Sequence, residues 1–177
     1  GHAHSQNLRD SGVEVVIDTG SGRVEVEGVR GPRLHIDTGS GAVSGRDIEA
    51  DQVEVDTGSG RIQLAGVRAR DISLDTGSGA IGLGLLTDID RLNVRTGSGS
   101  VTLAVPATLN ADLRASTGSG RITVDLPMQS VERRRSNLSG RIGEGGGTIR
   151  IVTGSGRITV RSEAPVALSP AAPRASR

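Results

Sequence analysis

The tetrapeptide Thr-Gly-Ser-Gly occurs seven times in this chain, beginning at Thr19, Thr38, Thr57, Thr76, Thr96, Thr117 and Thr153. The first four copies are nineteen residues apart, the next two intervals are twenty and twenty-one, and the last is thirty-six. Self-similarity at such a period belongs to stacked repeat architectures, in which each repeat buries its apolar face against its neighbours. A degenerate copy, Asn137-Leu138-Ser139-Gly140, divides the long interval into twenty and sixteen, so the sequence counts eight turns of one repeat.

Aligned on the threonine, the residues four and two positions earlier are apolar in every full copy, from Val15 and Ile17 to Ile149 and Ile151. Five and seven positions later come pairs such as Val24 and Val26, Ile62 and Leu64, and Ile158 and Val160, with only Gly45 interrupting the pattern. In a chain that is 34% hydrophobic, 27 apolar residues at 28 such positions define two short strands per repeat. A spacing of two and a β-branched bias are strand signals. Glycine supplies the conformational freedom a corner between strands demands.

These features predict an all-β fold, a right-handed parallel β-solenoid (β-helix) of about eight coils with a period near 19–21 residues. The handedness follows from the strong preference of parallel crossovers. At ladder spacings of about 4.7–4.9 Å, eight coils make a rod roughly 35–40 Å long. The corner Thr and Ser share parity with the inward pairs, which predicts hydroxyl ladders bonding to neighbours above and below. A third inward contact is expected ten residues past the threonine, at Val29, Ile48, Val67 and Leu86.

The solenoid is expected over 13–161, preceded by a polar lead-in at 1–12 that is part tag or cap, and followed by an Ala/Pro-rich tail or linker at 162–177. Pro106 and Pro127 fall at the ten-residue offset and cannot donate to a ladder, so a bulge is expected at those corners. Residues 128–136, which include Arg133-Arg134-Arg135, lack strand alternation and read as an excursion or short helical turn.

Composition narrows the function classes. No Phe, Tyr or Trp is present, so the interior must be slender and aliphatic. All 21 basic residues are arginine and nearly cancel the 20 acids, giving a net charge of +1. With neither a basic stripe nor aromatic stacking platforms, nucleic acid is not the expected partner. The lack of cysteine removes disulfides, thiolate zinc sites and thiol catalysis. No stretch approaches the ~20 apolar residues of a transmembrane helix.

Few residues suggest chemistry. The Gly-Ser-Gly corner lacks the Gly-Lys-Ser/Thr ending of a phosphate loop, the strand-to-helix setting of a dinucleotide loop and the spacing of a hydrolase elbow. His35 faces outward, two residues before Asp37 on the same strand face, where an acid–base pair is geometrically possible; a solvated surface histidine is the expectation. His2 and His4 sit at the terminus, and Asn137-Leu138-Ser139 is a formal glycosylation sequon best explained as a decayed repeat. Asp18, Asp37, Asp56 and Asp75 precede the first four threonines and should stack as a ridge. Across the corner, Arg23 and Arg61 are placed to neutralise Asp18 and Asp56, with Arg121 at the equivalent position later on. Calcium on the ridge is the sharper alternative, although the nonapeptide calcium-roll pattern is absent. Arg133-Arg134-Arg135 is a weaker candidate for an anionic partner. The expectation is therefore no catalytic residue, no cofactor-binding residue, no metal ligand and no cofactor.

The repeated Thr-Gly-Ser-Gly-[Arg/Ala/Ser]-[Val/Ile] turn resembles that of a bacterial β-strand-repeat family of unknown function, often labelled "putative adhesin" and related to the head domains of some surface proteins. The resemblance covers 13–161, including the glycine-rich entry to the last repeat. It implies a parallel β-solenoid displayed outside the cytoplasm or at the cell envelope, with no assigned catalytic residues. The expected function is a non-enzymatic surface display or binding module whose partner is an unidentified surface or protein. The alternative is a self-associating scaffold, stacking through open coil ends or the flat face near Ser100, Thr102, Thr123 and Thr159, because uncovered ladder ends invite pairing. A polysaccharide-processing β-helix enzyme ranks below both.

Overall fold

The structure, a computed structural model, describes residues 3–6 and 14–163. The tail at 164–177, most of the lead-in, His2 and the side chain of His4 lie outside the described residues. In chain order the strands are β1 (Ala3–Gln6), β2 (Val15–Ser21), β3 (Val24–Glu27), β4 (Arg30–Ser40), β5 (Val43–Ser59), β6 (Ile62–Ser78), β7 (Ile81–Leu85) and β8 (Arg91–Ser98). They continue as β9 (Val101–Pro106), β10 (Ala111–Ser119), β11 (Ile122–Asp125), β12 (Met128–Arg133), β13 (Asn137–Ile142), β14 (Gly147–Ser155) and β15 (Ile158–Glu163).

The fold is all-β and solenoid-like, one curled sheet in which equivalent residues of successive repeats lie over one another. Val55 pairs with Ile36 on one side and Leu74 on the other, and Thr57 with Thr38 and Thr76. Strands leading into each Thr-Gly-Ser-Gly corner form a first wall and strands leaving it form a second. β5 and β6 run unbroken from the second wall, through the connector, into the next first wall. The aliphatic pairs fill the space between: Leu34, Ile36, Val53, Ile62, Leu92 and Val94 are among those excluded from solvent. With no aromatic ring, this narrow interior is as wide as Leu and Ile can fill.

At the corner the threonines are buried, but their hydroxyls do not form a ladder with one another. Stacked threonines are one ladder step apart, about 4.8 Å, well beyond O–H···O reach. Five of them donate instead to a glycine carbonyl of an adjacent level, among them Thr96 Oγ1 to Gly79 O at 3.1 Å, Thr153 to Gly99 at 3.2 Å, and Thr117 to Gly156 at 3.2 Å, while Thr19 bonds to Ser21 O of its own corner. The two glycines of the corner are required for different reasons. Gly60 has φ of 152°, and any Cβ there would collide with the Gly41 carbonyl. Gly58 has an ordinary φ, yet a Cβ would lie 2.5 Å from Gly39 O. Close backbone stacking, more than turn conformation, explains the first glycine.

The levels do not stack in sequence order. β14 lies between β8 and β10, pairing in parallel with both, and β15 lies between β9 and β11. The last repeat of the sequence is thus inserted beneath the sixth. The degenerate copy adds no parallel level: β13 runs antiparallel to β10, with Ser116 opposite Asn137. Residues 128–133 form no helical turn; they make β12, which pairs antiparallel to β13 with a register shift and a positive φ at Ser130. The β12–β13 hairpin therefore extends the first wall by two strands.

The third inward contact is present at Val29, Ile48 and Val67, all buried, but not at Leu86, which is 45% exposed. Leu85 takes its place, facing Val67 after a register shift. In the first three levels a left-handed residue, Gly28, Asp47 or Gly66, precedes the inward position. The fourth level has Leu85 there, so the chain turns inward one residue sooner. Val105 does the same in the next level, leaving Pro106 as the final residue of β9, while Pro127 lies between β11 and β12.

Candidate functional site: a charge-graded outer face

The outward residues of the first wall form three columns, because side chains alternate along each strand. The column next to the corner runs Asp18, Asp37, Asp56, Asp75, then Arg95, Val152 and Ser116. The middle column runs Val16, His35, Glu54, Ser73, Asn93, Arg150 and Arg114. The third includes Arg33, Gln52, Asp71, Arg91, Thr148 and Asp112. Among the charged residues, one half of the face therefore carries mostly carboxylates, and the other, with Arg91, Arg95, Arg114 and Arg150 against Asp112, mostly guanidinium groups.

The expected aspartate ridge is present, in register over four levels. Arg23 does not neutralise it. Arg23 stands just before β3 and its guanidinium lies 3.8 Å from Glu25 on that strand, and Arg61 lines a shallow groove on the second wall. Both project from the second wall, so the corner separates them from the aspartates. Burial, followed by the charges of Asp75 and Asp37, raises the Asp56 carboxyl above its ordinary value. Among the described residues, no three of His, Asp or Glu come together closely enough to hold a metal ion.

His35 is half-buried and paired, not a freely solvated histidine. Its Nδ1 lies 3.2 Å from Glu54 Oε2, and the same oxygen accepts from Arg33 Nη2 at 3.0 Å. Arg33 also reaches Glu14, at 3.4 Å. The hydrogen bond from Arg33, aided by His35, holds the Glu54 carboxyl below its ordinary value. The partner is Glu54 and not Asp37 because a directly stacked residue is about 4.8 Å away, whereas a residue two further along a strand is about 6.6 Å away.

Elsewhere, Ser100, Thr102, Thr123 and Thr159 lie on the outer second wall, where Thr102, Thr159 and Thr123 stack in register. Asn137 is exposed, and its side chain accepts from Ser116 Oγ at 2.7 Å. Arg121 and Arg133, Arg134 and Arg135 line one small cavity at the end of the stack. Sequence reasoning placed the aspartate column but missed the arginine half of the face, since Arg150 and Arg114 become neighbours only through the out-of-order stacking.

A model of the family described as Toastrack DUF4097 matches residues 11–161. The chain belongs to that family. No curated protein matches this Toastrack chain. Among solved structures, it is similar to a putative cell adhesion protein from Clostridium sporogenes ATCC 15579, with a TM-score of 0.54 and 10% identity over 91% of this chain and 93% of that one. At that identity the likeness is one of fold. Among the described residues no helix is long and apolar enough to cross a membrane.

Proposed function

We propose that this Toastrack domain is a non-enzymatic binding or display module of adhesin-like type, a right-handed rod presented at the cell envelope or outside the cytoplasm. The observation that carries the reading is the graded outer face, whose stacked charges form a regular, rigid recognition surface. The family assignment and the cell-adhesion neighbour support it. Charged surfaces of this kind steer association and select partners more than they add raw affinity.

Beads coated with the domain test this reading. They should be retained on cell monolayers under flow, and retention should fall when Arg91, Arg95, Arg114 and Arg150 are changed to glutamate. Absence of retention, or equal retention of both coatings, refutes it.

The same grading favours a second reading, a self-associating scaffold. Two copies packed face to face in opposite directions would set each acidic half against the other's arginines, in an isologous contact. Sedimentation across a concentration series separates the readings. A salt-sensitive dimer supports the scaffold, and a monomer throughout excludes it.

A further inference from the structure

The two walls end at different heights. Beyond β10 the first wall gains β13 and β12, whereas among the described residues the second wall stops at β11. At about 4.8 Å per strand, this leaves a step roughly 10 Å deep.

Inside the step, the ladder that joins every other level is open. Gly99 N donates to Ser155 O and Gly156 N to Ser119 O, and likewise Val101 N to Arg157 O and Ile158 N to Arg121 O. Gly120 N and Ile122 N, next in these two series, have no acceptor among the described residues, and alternation along the strand leaves Val124 N in the same position. Ile122 and Val124 are also the least covered of their columns: the residues stacked with them, such as Val101, Leu103, Ile158 and Val160, are at most 1% exposed, while these two are only partly buried. β12, at the end of the other wall, is blunted by a bulge and by charge; β11 has no bulge, and its one charged residue, Asp125, stands at the end away from Gly120.

Beside Gly120 and Ile122, a cavity of about 170 Å³ is lined by Arg121, Arg133, Arg134 and Arg135, with Leu138 behind them. None of the four guanidinium groups has an ion-pair or hydrogen-bond partner among the described residues. Open strand N–H groups, an incompletely covered apolar pair and four unneutralised arginines therefore meet at one place.

We propose that this step binds an extended acidic peptide, which adds to β11 as a further strand. Its main chain takes the open amides of Gly120, Ile122 and Val124, as in other strand additions. Its apolar side chains cover Ile122 and Val124, and its carboxylates meet the arginines in charge-assisted hydrogen bonds. The occupant is not the chain's own 164–177 segment, which contains no Asp or Glu and three prolines. The site is separate from the graded face and does not depend on where the rod is displayed.

The test uses the full chain and a fluorescein-labelled peptide alternating valine with glutamate, beside a valine–lysine peptide and inorganic phosphate. The glutamate peptide should bind in a salt-sensitive manner and slow hydrogen exchange at Gly120, Ile122 and Val124. The double variant Arg134→Glu/Arg135→Glu, on an exposed turn, should weaken it at least tenfold. The proposal is overturned by absence of binding, by equal binding of the lysine peptide, or by binding that leaves those amides unprotected. It is also overturned if phosphate alone reproduces the protection and displaces the peptide, which would make this an oxyanion site. A dimer of the wild type that the double variant abolishes would instead make the occupant a second copy, and would equally overturn it.

Discussion

Thr153 Oγ1 donates to the carbonyl of Gly99 at 3.2 Å across a sequence separation of 54. In the regular part of the stack the same bond spans 16 residues, as between Thr76 and Gly60. With the bond from Thr117 Oγ1 to Gly156 O on the other side, the Thr153 bond places the last repeat in an interior level, with β10 and β11 lying outside it.

Interior placement makes the end of the sequence expensive to disturb. Ile151 is fully buried, whereas Val124, earlier in the chain, lies at the open end. Ile151→Ala should cost about 2–5 kcal/mol, in the range for buried aliphatic truncations. Val124→Ala should cost clearly less, because little of a cavity is created. Urea melts of both variants check this; equal costs would contradict the inserted level.

The stacked corner predicts a difference between chemically identical substitutions. A Cβ at Gly20 meets nothing within 4 Å among the described residues, while one at Gly58 lies 2.5 Å from Gly39 O. Gly20→Ala should leave the thermal midpoint nearly unchanged, and Gly58→Ala should lower it by forcing two backbone levels apart, with Gly58→Val worse still. Calorimetry on the three variants decides it.

Buried threonines are not equivalent either. Thr38 Oγ1 is buried without a partner among the described residues, whereas Thr96 Oγ1 bonds to Gly79 O at 3.1 Å. Thr38→Val should be neutral or stabilising, because it removes an unsatisfied hydroxyl. Thr96→Val should cost about 0.5–1.5 kcal/mol, the usual net worth of such a bond. Denaturant midpoints of the pair provide the comparison.

Two carboxylates should respond to pH in opposite senses. Asp56 has a carboxyl pKa raised above its ordinary 3.8, chiefly by burial and by Asp75 and Asp37, so its ionised form opposes folding. Stability is recovered as pH falls through that raised value. Glu54, lowered from its ordinary 4.5 mainly by Arg33, stabilises the fold above that pH and ceases to do so as pH falls through its folded value. At pH 7, Asp56→Asn should therefore raise stability and Glu54→Gln lower it. Each change should be about 0.2–1 kcal/mol, as for cross-strand charge pairs, and smaller where solvent screens it. Both differences should shrink in acid, and melting curves from pH 7 to pH 3 would show the convergence.

The repeat, its strands, the inward aliphatic pairs, the corner and the aspartate column were all legible in the order of residues. These follow from local periodicity, and a period-two pattern that recurs every nineteen residues leaves few ways to bury its apolar face. Which level lies beside which was settled by packing in the folded chain. All seven corners carry the same motif and nearly the same aliphatic pairs, so any level can stack on any other, and local pattern does not encode the order. That order placed Arg150 between Asn93 and Arg114, completed the basic half of the outer face, and left β11 at an open end. The stacking of His35 on Glu54 follows from the same periodicity as the aspartate column, and only the folded side chains decided that Arg33 shares the Glu54 oxygen with it.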